Sequence, residues 1–146
     1  MIKFWKKQLS NISTLARIGD GTTVHAGVHI HDGVVIGKNC QIEALAFLPN
    51  GVELEDEVFV GPGVIFQNDL YPKTGRRWKQ KKTLVKKGSA IGGGSVILPG
   101  ITIGENVLVG SGSVVTKSIP DGEVWVGNPA RFLRKNDQSL DYESDF

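Results

Sequence analysis

Cysteine is nearly absent from this chain of 146 residues: Cys40 stands alone, beside one methionine and two tyrosines. A single thiol excludes an intrachain disulfide framework and a cysteine-built metal site, and it fits a reducing compartment, so we expect a cytoplasmic protein. Excess charge of one sign is missing too, since 17 Lys and Arg face 15 Asp and Glu. Long apolar runs are missing as well. The stretch Met1–Ser10 carries Lys3, Lys6 and Lys7 and holds no segment long enough for a signal peptide or a membrane span. No membrane partner is expected. The apolar residues also lack helical spacing, which excludes amphipathic helices as the main element.

What the chain does have is a period of six. Counting from residue 18 gives Ile18, Val24, Ile30, Ile36, Ile42, Leu48, Leu54, Val60 and Phe66, and after a break Val85, Ile91, Ile97, Ile103, Val109 and Val115. Four places after each marker stands a small or β-branched residue, such as Thr22, Val28, Cys40, Ser89, Ser95 and Ser113. Cys40 is therefore read as a core residue, because a nucleophile needs an exposed, electropositive setting. Glycine, Asp and Asn cluster between the markers, where tight corners demand positive φ. A six-residue period built this way predicts a parallel β-helix. Three edges close a triangular coil of roughly 18 residues, and coils stack at about 4.8 Å. About five coils fit residues 18 to 120. The fold class is all-β, a single domain in which residues 1–17 form a cap, 18–66 and 85–120 the coils, 67–84 a protruding loop, and 121–146 a C-terminal segment and tail.

The loop, QNDLYPKTGRRWKQKKTL, is too long to be a corner, and loops of that length in a compact body are usually functional. A rigid prism has no concavity of its own, so a loop is how it makes a cleft. Asn68 and Asp69 stand at its root. An amide there can position an amine or meet a developing oxyanion, and a carboxylate can hold an ammonium or act as base. Both are also turn formers. Tyr71-Pro72 stiffens the exit. From Lys73 to Lys87 every charged residue is basic, which suits a polyphosphate ligand or a solvated loop. Nucleic acid is not expected, because no aromatic interleaving accompanies the charge. Trp78 either stacks on a base or sugar or packs the loop to the body.

Together the hexads, FQNDLYPK (66–73), TLVKKGSAIGGGSVILPGITIGENVLVGSGSVVTKSIP (83–120) and VGNPAR (126–131) resemble the bacterial left-handed β-helix N-acetyltransferases that act on nucleotide-linked amino-dideoxyhexoses. The resemblance implies a left-handed coil, a homotrimer with active sites between subunits, acetyl-CoA as co-substrate with no metal, and a role in surface-glycan biosynthesis. It assigns Asn68, Asp69 and His29 to catalysis. Gly92, Gly93, Gly110 and Ser111 are matched to the CoA groove, Lys117 and Arg131 to CoA phosphates, and Asn128, Pro129 and Ala130 to its adenine end. Tyr71, Arg76, Trp78 and Lys79 are expected to meet the dTDP- or UDP-linked 3-amino or 4-amino sugar.

Other readings use the same fold. An O-acetyltransferase needs a base to strip an alcohol, and the loop holds no histidine, which favours an amine acceptor. A γ-carbonic-anhydrase-like zinc site would draw on His25, His29 and His31. Yet His25 and His31 are one hexad apart and so lie on different faces of the coil. A non-catalytic scaffold is the third alternative.

Overall fold

The computed structural model describes residues 1–6 and 9–137; the acidic tail from residue 138 lies outside them. Each marker residue ends a two- or three-residue strand, and the next corner turns the chain onto the next face of a three-sided parallel β-solenoid. The first face stacks β1 (Lys3–Phe4), β4 (Thr23–Val24), β7 (Gln41–Ile42), β10 (Phe59–Val60), β13 (Ala90–Ile91), β16 (Leu108–Val109) and β18 (Glu123–Gly127), all parallel. It ends on β19 (Ala130–Lys135), which runs back antiparallel to β18. The second face stacks β2 (Asn11–Ile12), β5 (His29–Ile30), β8 (Phe47–Leu48), β11 (Ile65–Phe66), β14 (Val96–Ile97) and β17 (Val114–Val115). The third stacks β3 (Arg17–Ile18), β6 (Val35–Ile36), β9 (Val52–Leu54), β12 (Thr83–Val85) and β15 (Thr102–Ile103).

The boundaries differ from those expected at both ends. The solenoid has about seven turns, not five, because both flanks join it. Strands β1 and β2 add a first rung to the stack rather than a separate cap: Lys3 and Phe4 pair with Thr23 and Val24, and Asn11 and Ile12 with His29 and Ile30. Phe4 and Ile12 pack against the core. At the far end β18 supplies one more rung, and Trp125, only 7% exposed, closes the core.

The interior is a column of marker side chains, from Val24 to Val115, each at most 2% exposed. Between them sit the corner residues, and five of these are buried hydroxyls: Thr22, Thr83, Ser89, Ser95 and Ser113. A buried hydroxyl must find partners, and these find them in the adjoining coil. Ser89 Oγ donates to Gly104 O at 2.6 Å and accepts from Val107 N at 2.9 Å. Thr22 does the same with Gly37 O and Cys40 N, at 2.8 and 3.0 Å. Each hydroxyl is a rivet between coils. Cys40 fills the same inward position; its thiol donates to Glu55 O at 3.1 Å, and burial raises its pKa, so it stays protonated.

The long loop interrupts the sequence without shifting the stack. Gln41 pairs with Phe59 across one coil, and Phe59 pairs with Ala90 across the coil that carries the loop, in the same register. The loop therefore leaves and re-enters at one corner, between the second and third faces. Among the described residues no helix is long and apolar enough to cross a membrane.

Candidate functional site

Each coil repeats the same faces, which sorts outward side chains into columns. On the second face one column reads Asn11, His29, Phe47, Ile65, Val96 and Val114. The loop leaves directly after this column's strand β11. Its first residues fold back to make a concavity of about 280 Å³ lined by Phe47, Ile65, Gln67, Asn68, Asp69 and Pro72. Asn68 is half-buried there, and among the described residues its amide has no side-chain hydrogen bond. It keeps a full set of donors and acceptors for a ligand.

Asp69 is differently employed. Its Oδ1 accepts from Tyr71 N at 3.0 Å, an Asx turn, and from Arg76 Nη2 at 3.1 Å. Arg76 also donates to the Tyr71 carbonyl. The carboxylate and guanidinium expected to meet substrate are bonded to each other and to the loop backbone. Tyr71, Trp78 and Lys79 are exposed on the outer loop, Tyr71 at 70% and Trp78 at 44%. The returning limb is tied down, with Lys82 Nζ at 2.5 Å from Glu53 Oε2 and Thr83 N bonded to Gly51 O.

The histidines separate as the hexad spacing requires. His25 follows β4 on the first face, stacked on Trp5 at 5.9 Å and 3.6 Å from Glu43 Oε1. His29 and His31 both approach Phe47, His29 tilted at 6.4 Å and His31 edge-on at 5.0 Å. Phe47 thus joins both imidazoles to the Asn68 concavity. Sequence reasoning passed over Phe47, although its place one full coil after His29 was a signal for it. Among the described residues no three His, Cys, Asp or Glu side chains gather as a metal site requires.

The glycine-rich residues occupy the opposite edge, between the first and second faces. Gly92 and Gly93 form the corner after β13, and Gly110 and Ser111 the corner after β16. A Cβ on Gly92 would lie 2.5 Å from Ser111 N, so the coils meet there with no room for a side chain. On the outer side, a Cβ at Gly94 or Gly112 would meet nothing within 4 Å. The result is a narrow, bare backbone edge against which an extended ligand can lie. Asn128 and Pro129 form the β18–β19 turn next to this edge, where Gly127 N bonds Ser113 Oγ at 3.1 Å. Their peptide bond is cis. Ala130 is buried at 1%, and Arg131 donates to its carbonyl. Lys117 lies elsewhere, beyond β17, with Nζ 5.5 Å from the Trp125 ring.

This architecture and these motifs recur in known proteins. The bacterial transferase hexapeptide (six repeats) family matches residues 16–50 and 82–117. Galactoside O-acetyltransferase of Lactococcus lactis subsp. lactis is 31% identical over 77% of this chain and 56% of its own length. The dTDP-3-amino-3,6-dideoxy-alpha-D-galactopyranose 3-N-acetyltransferase of Aneurinibacillus thermoaerophilus is 58% identical over a shorter stretch, 34% of this chain and 26% of its own. The chain thus spans about half or less of the length of these curated relatives. Among solved structures, the N-acyltransferase AntD from Bacillus cereus, in complex with dTDP and 3-hydroxybutyryl-CoA, superposes with a TM-score of 0.82 at 25% identity, covering 99% of this chain and 85% of that one.

Proposed function

Since the chain is a member of the hexapeptide-repeat family, we propose that it is an acyltransferase moving an acetyl group from acetyl-CoA to the amine of a nucleotide-linked amino-dideoxyhexose. The observation that carries this reading is Asn68: a half-buried amide at the loop root, beside an aromatic floor and without a side-chain hydrogen bond among the described residues, while the neighbouring Asp69 is already engaged. An amine needs orientation more than it needs deprotonation by a strong base, and an amide supplies orientation. Acetyl-CoA supplies the activated thioester. The bare Gly92–Ser111 edge suits its extended arm, because the outer side at Gly94 and Gly112 is unhindered.

In this arrangement Asn68 aligns the amine lone pair with the thioester carbonyl. The new C–N bond forms as the C–S bond breaks, and the amine proton leaves with the thiolate. Backbone N–H groups at the glycine edge are suited to hold the oxygen that gains charge. Asp69 and Arg76 keep the loop root rigid, so Asn68 is presented in one place.

Within one copy, Asn68 and the glycine edge sit at opposite margins of the second face. A neighbouring copy that sets its glycine edge against the Asn68 margin would close the distance, which supports a homotrimer with shared sites. The basic loop residues Lys73, Arg77 and Lys79 suit the pyrophosphate of the carrier. We further infer a cytoplasmic setting, where nucleotide sugars are made, and a surface-glycan product.

O-acetylation is the second reading, favoured by the two imidazoles against Phe47 beside the same concavity. One experiment separates the two. The chain is incubated with acetyl-CoA and a panel of dTDP- and UDP-linked 3-amino, 4-amino and hydroxyl sugars, following thiol release and product mass. Acetyl gain on an amino member alone supports the proposal. Gain on a hydroxyl member, lost in His29→Ala or His31→Ala, replaces it with the second reading.

A further inference from the structure

The concavity at the loop root has two unlike sides. Gln67, Asn68 and Asp69 form a polar wall, and Phe47, Ile65 and Pro72 an apolar one. Phe47 and Ile65 are register partners on neighbouring rungs of the second face, so the solenoid itself lays the floor and the loop adds Pro72. Earlier in the same column the outward residues are polar, Asn11 and His29. Ile65 is 42% exposed and Phe47 half-buried, so both present apolar surface to a ligand. The Phe47 ring is braced from the side, with His31 edge-on at 5.0 Å and His29 tilted at 6.4 Å. A ring held this way is a fixed surface, suited to telling one small group from another.

Such a site sorts sugars by the corner that meets its apolar side. At about 280 Å³ it admits a single hexose ring and leaves the nucleotide outside. A hexose with a hydroxymethyl group carries polar groups all round its rim. A 6-deoxy hexose has a methyl at that corner instead. Set against phenyl and alkyl carbon, a C6 hydroxyl gives up water for surfaces that cannot hydrogen-bond, whereas a methyl gains apolar contact. We propose that Phe47 and Ile65 are specificity-determining residues that contact the C6 methyl of the acceptor and restrict the site to 6-deoxy amino sugars. The amine goes to Asn68 on the polar wall and the methyl to the floor. This assignment rests on the acetyltransferase reading above and gives the choice at C6 to the body of the solenoid, not to the loop. Both residues meet the sugar away from the reacting nitrogen, so their effect falls on binding more than on turnover.

The test uses two acceptors built on the carrier and amine position that the sugar panel identifies, differing only in methyl or hydroxymethyl at C6. Acetyl transfer to each is measured as kcat and KM for the natural chain, Phe47→Leu and Phe47→Gln. The natural chain and Phe47→Leu should favour the methyl acceptor by about 100-fold in kcat/KM, chiefly through KM. Phe47→Gln brings an amide to the floor and should cut that preference to about fivefold or less. An unchanged denaturant midpoint shows that a variant is folded, and Ile65→Gln makes the same test from the next rung. Equal use of both acceptors by the natural chain overturns the proposal. So does a preference that survives both glutamine substitutions. Acetyl transfer to no member of the amino-sugar panel overturns the acetyltransferase reading itself, and the assignment of the floor falls with it.

Discussion

Asn68 and Ser89 are both polar residues beside a corner of the stack, yet the molecule uses them oppositely. Ser89 is 1% exposed and spends its hydroxyl on Gly104 O and Val107 N. Removing it in Ser89→Ala strands both groups and should cost about 1–3 kcal/mol, read as a lower denaturant midpoint with an unchanged slope. Among the described residues the Asn68 side chain holds no such bond. Asn68→Ala should leave stability within about 0.5 kcal/mol while lowering kcat by about 100-fold or more, the penalty for losing orientation. Unchanged kcat would remove Asn68 from the chemistry. The buried column was legible from residue spacing alone, since a marker every sixth place has one physical explanation. The hydroxyl rivets were legible only as small residues, because which coil atom a serine meets depends on stacking.

At the level of elements, the loop and the terminal hairpin behave differently. The loop root is a knot of Asp69, Tyr71 and Arg76. Arg76→Ala leaves Asp69 with its turn bond alone. We expect KM for the amino sugar to rise about tenfold, with KM for acetyl-CoA little changed, because the cation positions the loop and not the thioester. In β18, Glu123 accepts from Trp125 Nε1 at 2.7 Å and from Lys135 at 3.1 Å. The indole bond and then the ammonium hold its pKa below the ordinary carboxylate value. A depressed folded pKa contributes stability above the unfolded value of about 4.3 and loses it as pH falls through the folded value. Glu123→Gln should therefore lower the midpoint at pH 7, and the gap to the natural chain should close in acid. A gap that stays constant from pH 7 to pH 3 would mean that the charge contributes nothing. The loop was readable as a break in the period, whereas the terminal hairpin was not. Trp125 falls out of the six-residue register, and the first coil was hidden because the step from Phe4 to Ile12 is longer than a hexad. Asp69 and Arg76 were both picked out by residue type, but their bond to each other depends on how the loop folds back.

For the whole molecule, each coil contacts only its neighbours, and the proposed catalytic parts lie at two margins of one face. If neighbouring copies complete the site, defects at the two margins should complement. Asn68→Ala copies and Ser111→Trp copies, each inactive alone, should regain a sizeable fraction of activity when unfolded and refolded together. No recovery, with mixed oligomers demonstrated by mass, would place the entire site in one copy. Ser111 is exposed, so the bulky side chain obstructs the edge without entering the core.

The uninterrupted register across the loop has a consequence for how such a protein diversifies. Ile65 meets Val96 and Glu53 meets Leu84 as though residues 67–82 were not there. The body does not count what happens between these rungs. A cassette of different length or charge can be exchanged at that junction while the buried column stays the same. Selection for a new acceptor then acts on a short segment that bears little of the folding free energy, and a chimeric chain should fold before it has learned any new chemistry.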